Sequence, residues 1–266
     1  MTDASRKAAW MDRLKAAGID EAALDLRHIL LAAQDVGEAE AMVARRINRE
    51  PLSHILGDKP FWTLDLKITP DVLTPRSDTE TLVETVLKQI PDTAAKMEIA
   101  DFGTGSGAIL LALLSEMPNT RGLGVDISES ALAVARENAA RNALADRANF
   151  RLGNWADGIA DDSIDLAVSN PPYIASAVID TLEPEVRDHE PRIALDGGED
   201  GLNIYHTLMP ELFRILKPGG LMAVEIGYDQ GEAVMALAER ANFGDVRLSN
   251  DLAGQPRGVS GRKRNS

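Results

Sequence analysis

The sequence predicts an α/β protein in which a mostly parallel β-sheet is covered by helices, with a small helical domain before it. Three observations support this prediction. Strand-like apolar runs alternate with helical patterns between residues 97 and 241, as in parallel sheets with crossover helices. A glycine-rich loop directly follows the first of these strands, where α/β proteins often bind nucleotides. The first 50 residues show helical periodicity and no strand pattern.

Residues 1–50 are predicted to form the helical domain. Trp10, Leu14 and Ala17 recur at helical spacing, and apolar residues recur again between positions 24 and 31. Alanine is abundant throughout this segment, which favours helix over strand.

Residues 51–75 are predicted to form a β-hairpin connector. Apolar and polar side chains alternate over residues 62–68, the pattern of a half-buried strand. Val72 and Leu73 are predicted to pair back with that strand across a turn that contains Pro70.

Residues 76–266 are predicted to form the main α/β domain. Ser77 and Glu80 are spaced as a capping box, and the helix that they would start has an apolar face over residues 82–90. The predicted strands cover residues 97–101, 121–126, 148–152, 164–169 and 220–226, and the predicted helices cover 107–116, 129–142, 200–216 and 230–241.

The C-terminal end of the chain has a different pattern. Short extended runs at residues 245–248 and 258–260 flank a loop with glycine and proline, which predicts an antiparallel hairpin at one edge of the sheet. The basic residues 262–264 are predicted to form a frayed, solvated tail.

Composition limits the classes of function. The chain of 266 residues has 42 acidic and 28 basic residues and a net charge of -14, which disfavours binding to nucleic acid. It has no cysteine, so disulfides and thiol chemistry are excluded, and its four histidines lack metal-ligand spacing. The sequence has no secretory signal and no apolar run near the ~20 residues of a membrane span. We therefore expect a cytoplasmic protein without a metal.

The glycine loop predicts a cofactor site. Its glycines are spaced G-x-G-x-G, unlike the dinucleotide fingerprint G-x-G-x-x-G. Asp101 precedes the loop and Asp126 ends the next strand, where an acid binds ribose hydroxyls. This pattern resembles the first motif of Rossmann-like S-adenosylmethionine methyltransferases. Asn154 and Trp155 follow the third strand, where they could meet an adenine, although Trp155 could equally be a core aromatic.

The tetrapeptide Asn170-Pro171-Pro172-Tyr173 follows an apolar strand and predicts a methylation site. Its prolines restrict the backbone, so the Asn170 Oδ1 and the Pro171 carbonyl could accept hydrogen bonds from a planar NH2 group. Tyr173 would stack on that group. This arrangement needs no strong general base if the proton is lost after methyl transfer. The tetrapeptide alone does not separate adenine from glutamine as the substrate.

Nearly the whole chain resembles the protein N5-glutamine methyltransferases that modify peptide-chain release factors. The resemblance is carried by residues 50–57, 73–80, 101–107, 170–173 and 190–198. It implies a seven-stranded Rossmann-like methyltransferase domain over residues 76–266 and a substrate-recognition role for the helical domain. It also implies S-adenosylmethionine as cofactor, S-adenosylhomocysteine as product, and release factors as protein partners.

The same resemblance implies roles for individual residues. Substrate would be held by Asn170, Pro171, Pro172 and Tyr173, with Arg76 and Thr79 lining the same pocket. Residues 190–192 would brace the loop after the tetrapeptide. The cofactor would be contacted by Asp101, Phe102, Gly103, Thr104, Gly105, Ser106, Gly107, Asp126, Ile127, Asn154, Trp155 and Asn170. Two positions depart from the family pattern, with Ser77 in place of proline and Asn154 in place of an acid.

Three other functions share part of this pattern. Adenine-N6 methyltransferases of DNA or RNA have the same tetrapeptide, but the acidic charge balance and the helical domain argue against them. A non-catalytic binding module is disfavoured because the cofactor and catalytic motifs are both intact. A methyltransferase for another protein glutamine, such as one in a ribosomal protein, stays open.

Overall fold

A seven-stranded sheet forms the centre of the structure, a computed structural model that describes residues 3–264. A separate two-stranded hairpin precedes the sheet in the chain. Within the described range the strands are β1 (Asp58–Phe61), β2 (Leu64–Lys67), β3 (Glu98–Phe102), β4 (Arg121–Asp126), β5 (Ala148–Leu152), β6 (Ile164–Ser169), β7 (Leu216–Glu225), β8 (Phe243–Asn250) and β9 (Pro256–Lys263).

The strand order of the large sheet is β5-β4-β3-β6-β7-β9-β8. The first five strands are parallel, and β9 pairs antiparallel with β7 and β8. The mostly parallel sheet and its antiparallel edge hairpin are therefore confirmed. The chain passes from β3 to β4 and β5 on one side and returns to β6 on the other. Loops after β3 and β6 consequently separate and leave a crevice between them.

Helices cover both faces of this sheet. The helices are α1 (Asp3–Ala16), α2 (Ala22–Ala32), α3 (Val36–Ile47), α4 (Leu52–Leu56), α5 (Glu80–Gln89), α6 (Ala108–Glu116), α7 (Glu129–Arg141), α8 (Ser176–Ile179), α9 (Pro184–Arg187), α10 (Asn203–Ile215) and α11 (Gly231–Arg240). One apolar core joins the sheet to α5, α6 and α7, and a second joins it to α10 and α11. Because α6 packs between the sheet and α5, all its residues from Ala108 to Leu114 are buried.

The first three helices form a unit with its own apolar core, as the helical periodicity predicts. Trp10, Leu14, Leu26 and Ile29 are at most 4% exposed in this core. Leu31, by contrast, is 76% exposed, so this apolar residue does not belong to the buried face of α2.

Arg46 of α3 and Arg49, which follows that helix, connect the helical unit to the segment that contains α9. Arg46 binds Asp25 of α2 at 2.6 Å and Glu185 of α9 at 2.8 Å. Arg49 binds Glu185 at 2.6 Å and Glu183 at 3.0 Å. The two guanidinium groups share one carboxylate, so this is a network of charge-assisted hydrogen bonds rather than isolated surface pairs.

The connector contains a β-hairpin, but the predicted strand pairing is wrong. β2 pairs with β1, which precedes it, and Val72 and Leu73 lie outside both strands. Trp62 has a φ of 56° and lies in the two-residue turn between β1 and β2, as left-handed residues do in tight hairpins. That turn directs β2 back along residues 58–61 instead of along residues 72–73.

The predicted capping box at Ser77 is also wrong. Residues 77–79 form a 3-10 turn, and α5 begins at Glu80. The Glu80 carboxylate accepts a hydrogen bond from the backbone N–H of Trp62 at 2.8 Å. The Glu80 carboxylate therefore binds the hairpin turn instead of the backbone N–H of Ser77, which a capping box would require.

The basic C-terminal residues do not form a frayed tail within the described range. Arg262 and Lys263 belong to β9, where strand pairing satisfies their backbone groups. The Arg262 guanidinium donates to the Gln89 carbonyl at 2.6 Å, and Lys263 binds Asp162 at 2.6 Å. Only Arg264 is exposed among these three residues.

Two smaller boundaries also differ from the sequence prediction. β7 begins at Leu216 rather than at residue 220, and α10 begins at Asn203 rather than at residue 200. Among residues 3–264, no helix is long and apolar enough to cross a membrane.

Candidate active site

Strand register brings the glycine loop and the tetrapeptide together. β3 and β6 are parallel neighbours, and Phe102 pairs with Ser169 at their carboxyl ends. The Ser169 hydroxyl donates to the Phe102 carbonyl at 2.7 Å, which holds the two strand ends level. Gly103 and Asn170 therefore leave adjacent strands at the same height. A Cβ atom on Gly103 would lie 4.0 Å from the Asn170 carbonyl oxygen.

A cavity of about 560 Å³ opens at this point, within the range of small-molecule sites. Its wall includes many of the residues that the sequence assigns to cofactor and substrate. These are Gly103, Gly105, Asp126, Ile127, Asn154, Trp155, Asn170 and Pro172. The wall also has residues that sequence reasoning did not assign to a site, namely Asp71, Val72, Leu73, Val125, Ser128, Ala131, Gly153, Ile193, Ala194, Asp196 and Ile204, and it includes the predicted bracing residues Pro191 and Arg192.

Asp126 holds the glycine loop in place. One of its carboxylate oxygens accepts from the Gly105 N–H and the other from the Ser128 N–H, each at 2.9 Å. Ser128 then caps α7 by accepting from the Ala131 N–H at 3.2 Å. Gly105 has a φ of 53°, a left-handed conformation that favours glycine. Within the described chain no atom lies within 4 Å of the place where its Cβ would be, so the loop backbone is open to a ligand.

The other residues of the predicted cofactor motif lie beneath the cavity. Asp101 and Phe102 are at most 1% exposed, and Gly107 is the residue before α6. Thr104 and Ser106 are also buried. The Thr104 hydroxyl donates to the Asp101 carboxylate at 2.7 Å. These residues shape the loop from below, whereas Gly103 and Gly105 form its exposed surface.

Burial strongly perturbs Asp101. It raises the pKa of the Asp101 carboxyl to about 7, the Asp126 charge contributes in the same direction, and the hydrogen bond from Thr104 opposes the shift. The Asp101 Oδ1 has no hydrogen-bond partner among residues 3–264. A protonated carboxyl is therefore the form that the fold favours.

This shift predicts a pH-dependent stability. Because the folded pKa lies above the unfolded value of 3.8, the stabilisation is present at low pH and is lost as the pH rises through about 7. Between pH 6 and pH 8 we expect the free energy of unfolding of the wild type to fall by roughly 1 kcal/mol more than that of Asp101→Asn. Urea unfolding at each pH measures this difference. Asp146→Asn at an exposed site is the control, and parallel curves for wild type and Asp101→Asn would contradict the prediction.

The side chains of the tetrapeptide are held from below. The Asn170 Nδ2 donates to the Thr79 hydroxyl at 3.4 Å, so its Oδ1 is left for another partner. The Tyr173 hydroxyl donates to the Glu225 carboxylate at 3.2 Å, and its carbonyl accepts from Gln230 at 2.9 Å. Tyr173 packs against the core under α10 and α11, and Pro171 is buried. Among the four residues, Asn170 and Pro172 are the ones that line the cavity.

Glu225 is a residue of this site that sequence reasoning missed. It ends β7, beside β6, and is 1% exposed. Burial raises the pKa of its carboxyl to about 7, while hydrogen bonds from Thr79 and Tyr173 and the charge of Arg257 oppose the shift. The signal in the sequence is an acid at the end of an otherwise apolar strand, which is costly unless it is paired.

Arg76 and Thr79 are not among the residues that line the cavity. Arg76 forms a salt bridge at 2.7 Å with Glu190, whose side chain is buried. Glu190 also accepts from the backbone N–H of Thr74 at 3.3 Å. Burial raises the pKa of the Glu190 carboxyl, and the charge of Arg76 opposes that shift. The substrate contacts predicted for Arg76 and Thr79 stay a prediction.

The segment after Glu190 packs against the chain that follows the tetrapeptide. Ile174 forms a parallel bridge with Asp196, and the Gly197 N–H donates to the Ile174 carbonyl at 2.8 Å. Gly201 fits closely here, since a Cβ on it would lie 2.3 Å from the Tyr173 carbonyl oxygen. Glycine is therefore needed at this approach.

Residues 3–264 contain no group of three or more His, Cys, Asp or Glu side chains that could hold a metal ion.

Comparison with known proteins identifies methyltransferases as relatives of this chain. A family model described as a methyltransferase domain matches residues 93–253. A release factor glutamine methyltransferase of Caulobacter vibrioides is 51% identical over 276 residues, covering 96% of this chain and 95% of that protein. The protein with the same description from Rhodospirillum rubrum is 42% identical and covers 97% of this chain and 83% of its own length.

Solved structures share the fold at low sequence identity. A methyltransferase from Pyrococcus furiosus aligns with a TM-score of 0.57 and 17% identity, covering 85% of this chain and 98% of its own. A ribosomal protein L11 methylase from Lactobacillus delbrueckii subsp. bulgaricus aligns with a TM-score of 0.53 and 20% identity, covering 71% and 81%. These likenesses support the methyltransferase fold of the α/β sheet.

Proposed function

Because the chain belongs to the release factor glutamine methyltransferase family, we propose that it methylates the side-chain amide nitrogen (N5) of a glutamine. The target is the glutamine in the Gly-Gly-Gln motif of peptide-chain release factors, and the modification supports translation termination. One observation carries the proposal within the structure. The register of β3 and β6 places the glycine loop and Asn170 on one cavity, so a methyl donor and an amide could meet there.

The residues on the cavity wall fit S-adenosylmethionine as the methyl donor. When bound, this cofactor supplies an electrophilic methyl group and leaves as S-adenosylhomocysteine. The open backbone at Gly103 and Gly105 suits close contact with a ligand, and Asp126 presents an acid of the kind that binds ribose hydroxyls. Asn154 and Trp155 lie on the same wall, where an amide and an indole suit the edge and the face of an adenine.

The tetrapeptide is suited to the glutamine amide. An amide nitrogen is a poor nucleophile because its lone pair is delocalised into the carbonyl. The Asn170 Oδ1 and the Pro171 carbonyl would accept hydrogen bonds from the two N–H groups and favour the tetrahedral nitrogen of the transition state. The prolines hold these acceptors in place before substrate arrives. The proton is lost after methyl transfer, so no strong general base is required.

We also propose that the chain divides its work among three parts. Residues 1–50 recognise the protein substrate, residues 51–75 connect this domain to the next, and residues 76–266 carry out catalysis. Support comes from the separate core of the first three helices and from an apolar patch on α1 and α2. That patch has Met11, Leu30 and Leu31 beside the basic residues Lys7 and Arg27. Exposed apolar surface of this kind often marks a protein interface.

The proposal is tested with radiolabelled S-adenosylmethionine and purified release factor. We expect label on the release factor, no label on its variant with alanine in place of the Gly-Gly-Gln glutamine, and no label on DNA. The alanine variant lacks the side-chain amide that the proposed chemistry methylates, so it should accept no label. Label on DNA, or label that persists on the alanine variant, would contradict the proposal. A ribosomal protein as a further acceptor tests the specificity for release factors, and preferential labelling of it would redirect the assignment. The cytoplasmic location stays a prediction from the sequence.

A further inference from the structure

Asn170 must present its oxygen, and not its NH2 group, to the substrate amide. The two ends of an asparagine amide are nearly the same size, so hydrogen bonds decide which end faces the cavity. The visible contact is between the Asn170 Nδ2 and the Thr79 hydroxyl, at 3.4 Å. A hydroxyl can either donate or accept, so this contact alone does not fix the direction.

The group that can fix the direction is the buried carboxylate of Glu225. Its Oε1 accepts from the Tyr173 hydroxyl at 3.2 Å. Its Oε2 is buried and has no hydrogen bond of standard geometry among the described residues. The Thr79 oxygen accepts from the Asn170 Nδ2, so the hydroxyl proton is not used by that contact, and hydrogen bonding from Thr79 is among the causes that lower the pKa of the Glu225 carboxyl against the effect of burial. Thr79 itself is 3% exposed, which leaves its hydroxyl few other partners.

We propose that the ionised Glu225 is a positioning residue for the methylation proposed above. It accepts the Thr79 proton and Thr79 in turn accepts from Asn170, which leaves the Asn170 Oδ1 facing the substrate. An ionised carboxylate can only accept hydrogen bonds. The Thr79 proton is therefore committed to Glu225, and the Thr79 oxygen can only accept from the Asn170 NH2 group. One carboxylate orients both polar side chains of the tetrapeptide, Asn170 through Thr79 and Tyr173 directly.

Protonation of Glu225 removes this constraint. The charged and titratable groups around it are Arg257 on β9, Asp78 before α5, Tyr173 and Tyr205, whose hydroxyl donates to the Glu225 backbone carbonyl at 2.7 Å. Arg257 is held by Asp78 at 3.2 Å and by Asp251 at 3.3 Å, so its charge is shared among several acids. With burial as the main cause, the pKa of Glu225 rises to about 7. Near neutral pH, a protonated carboxyl could donate to Thr79 and allow the Asn170 amide to turn.

The test uses a matched pair of substitutions at Thr79 in the full-length protein. Thr79→Val keeps the shape and removes the hydroxyl, whereas Thr79→Ser keeps the hydroxyl. We expect Thr79→Val to lower kcat on release factor about tenfold, the scale of one hydrogen bond, with little change in the KM for S-adenosylmethionine. Thr79→Ser should restore kcat to within about threefold of wild type. Thr207→Val, at an exposed site on α10, is the control. A wild-type kcat in Thr79→Val, or equal losses in both Thr79 variants, overturns the proposal.

A second measurement does not depend on activity. In the free protein, NMR follows the Asn170 side-chain amide signals, which are identified by their loss in Asn170→Ala. We expect these signals to shift with a midpoint near pH 7 in wild type and to stop titrating in Glu225→Gln and in Thr79→Val. Because burial also raises the pKa of Asp101 to about 7, the same comparison is made in an Asp101→Asn background, and a titration that persists there in Glu225→Gln overturns the inference. If wild-type protein fails to methylate release factor, the proposed function fails, while this NMR titration still decides the role of Glu225.

Discussion

Asn170→Ala is expected to lower kcat for methyl transfer about 10²–10³-fold, the usual cost of removing one preorganised group that stabilises a transition state. The dissociation constant of S-adenosylmethionine should rise only about threefold, since Asn170 is one of many residues on the cavity wall. The asymmetry follows from the geometry. In the orientation that we assign to Glu225, the Asn170 Nδ2 donates to Thr79 and the Oδ1 is the atom that faces substrate.

Single-turnover kinetics and calorimetry measure the two effects separately. Asn149→Ala, at an exposed position on the edge strand β5, serves as the matched control and should behave as wild type. Complete loss of cofactor binding in Asn170→Ala would contradict the division of roles. Residual turnover within threefold of wild type would show that the tetrapeptide asparagine is not the main amide acceptor.

Asp126→Ala is expected to weaken the binding of S-adenosylmethionine about 100-fold. Its carboxylate makes two hydrogen bonds of 2.9 Å to backbone N–H groups, at Gly105 and Ser128. The proposed bonds from the ribose hydroxyls to this carboxylate would be lost as well. Bonds to a charged group contribute about 1.5–3 kcal/mol each, and losing roughly 3 kcal/mol of binding free energy corresponds to about 100-fold in affinity. The glycine loop would lose its anchor, and the cavity would lose the acid proposed to bind ribose.

Calorimetry with the cofactor, in the absence of protein substrate, measures this affinity. Asp146→Ala removes a carboxylate from an exposed site and controls for the change in net charge. At saturating cofactor, kcat of Asp126→Ala should stay within about tenfold of wild type, because the tetrapeptide is untouched. Unchanged affinity in Asp126→Ala would mean that neither the loop nor the ribose depends on this carboxylate.

The sequence predicted the sheet well because parallel strands are buried on both faces. Runs such as Ile164–Ser169 have mostly apolar residues, are almost entirely buried and stand out between amphipathic helices. The same physics placed Gly103 and Asn170 after strands, and strand order then made them neighbours. Local signals could not show that β3 and β6 are adjacent, since strand adjacency is a tertiary property.

The errors arose where two local patterns competed for one segment. Ser77 and Glu80 have capping-box spacing, but the tertiary contact of Glu80 with the Trp62 N–H decided the helix start. The alternating pattern correctly marked β2, yet it could not say which neighbouring segment would pair with it. Arg262 and Lys263 read as a solvated tail because their partners, Gln89 and Asp162, are distant in sequence.

Glu225 was invisible to motif reasoning for a related reason. An acid at the end of an apolar strand is ordinary in sequence, since strand ends often reach solvent. Its meaning depends on Tyr173 and Thr79, which come from a loop and a 3-10 turn far away along the chain. Only burial and hydrogen bonding show that this carboxylate belongs to the site.

The chain between Glu183 and Asp196 connects the helical unit to the cavity wall through contacts at both of its ends. At one end, Glu183 and Glu185 are held by Arg46 and Arg49 of the helical unit, and at the other end residues 191–196 form part of the cavity wall. A protein that docks on the first helices and tilts them would therefore pull on this wall. We expect a whole release factor to be a better substrate than its isolated Gly-Gly-Gln peptide, because only the whole protein can contact both the first helices and the cavity.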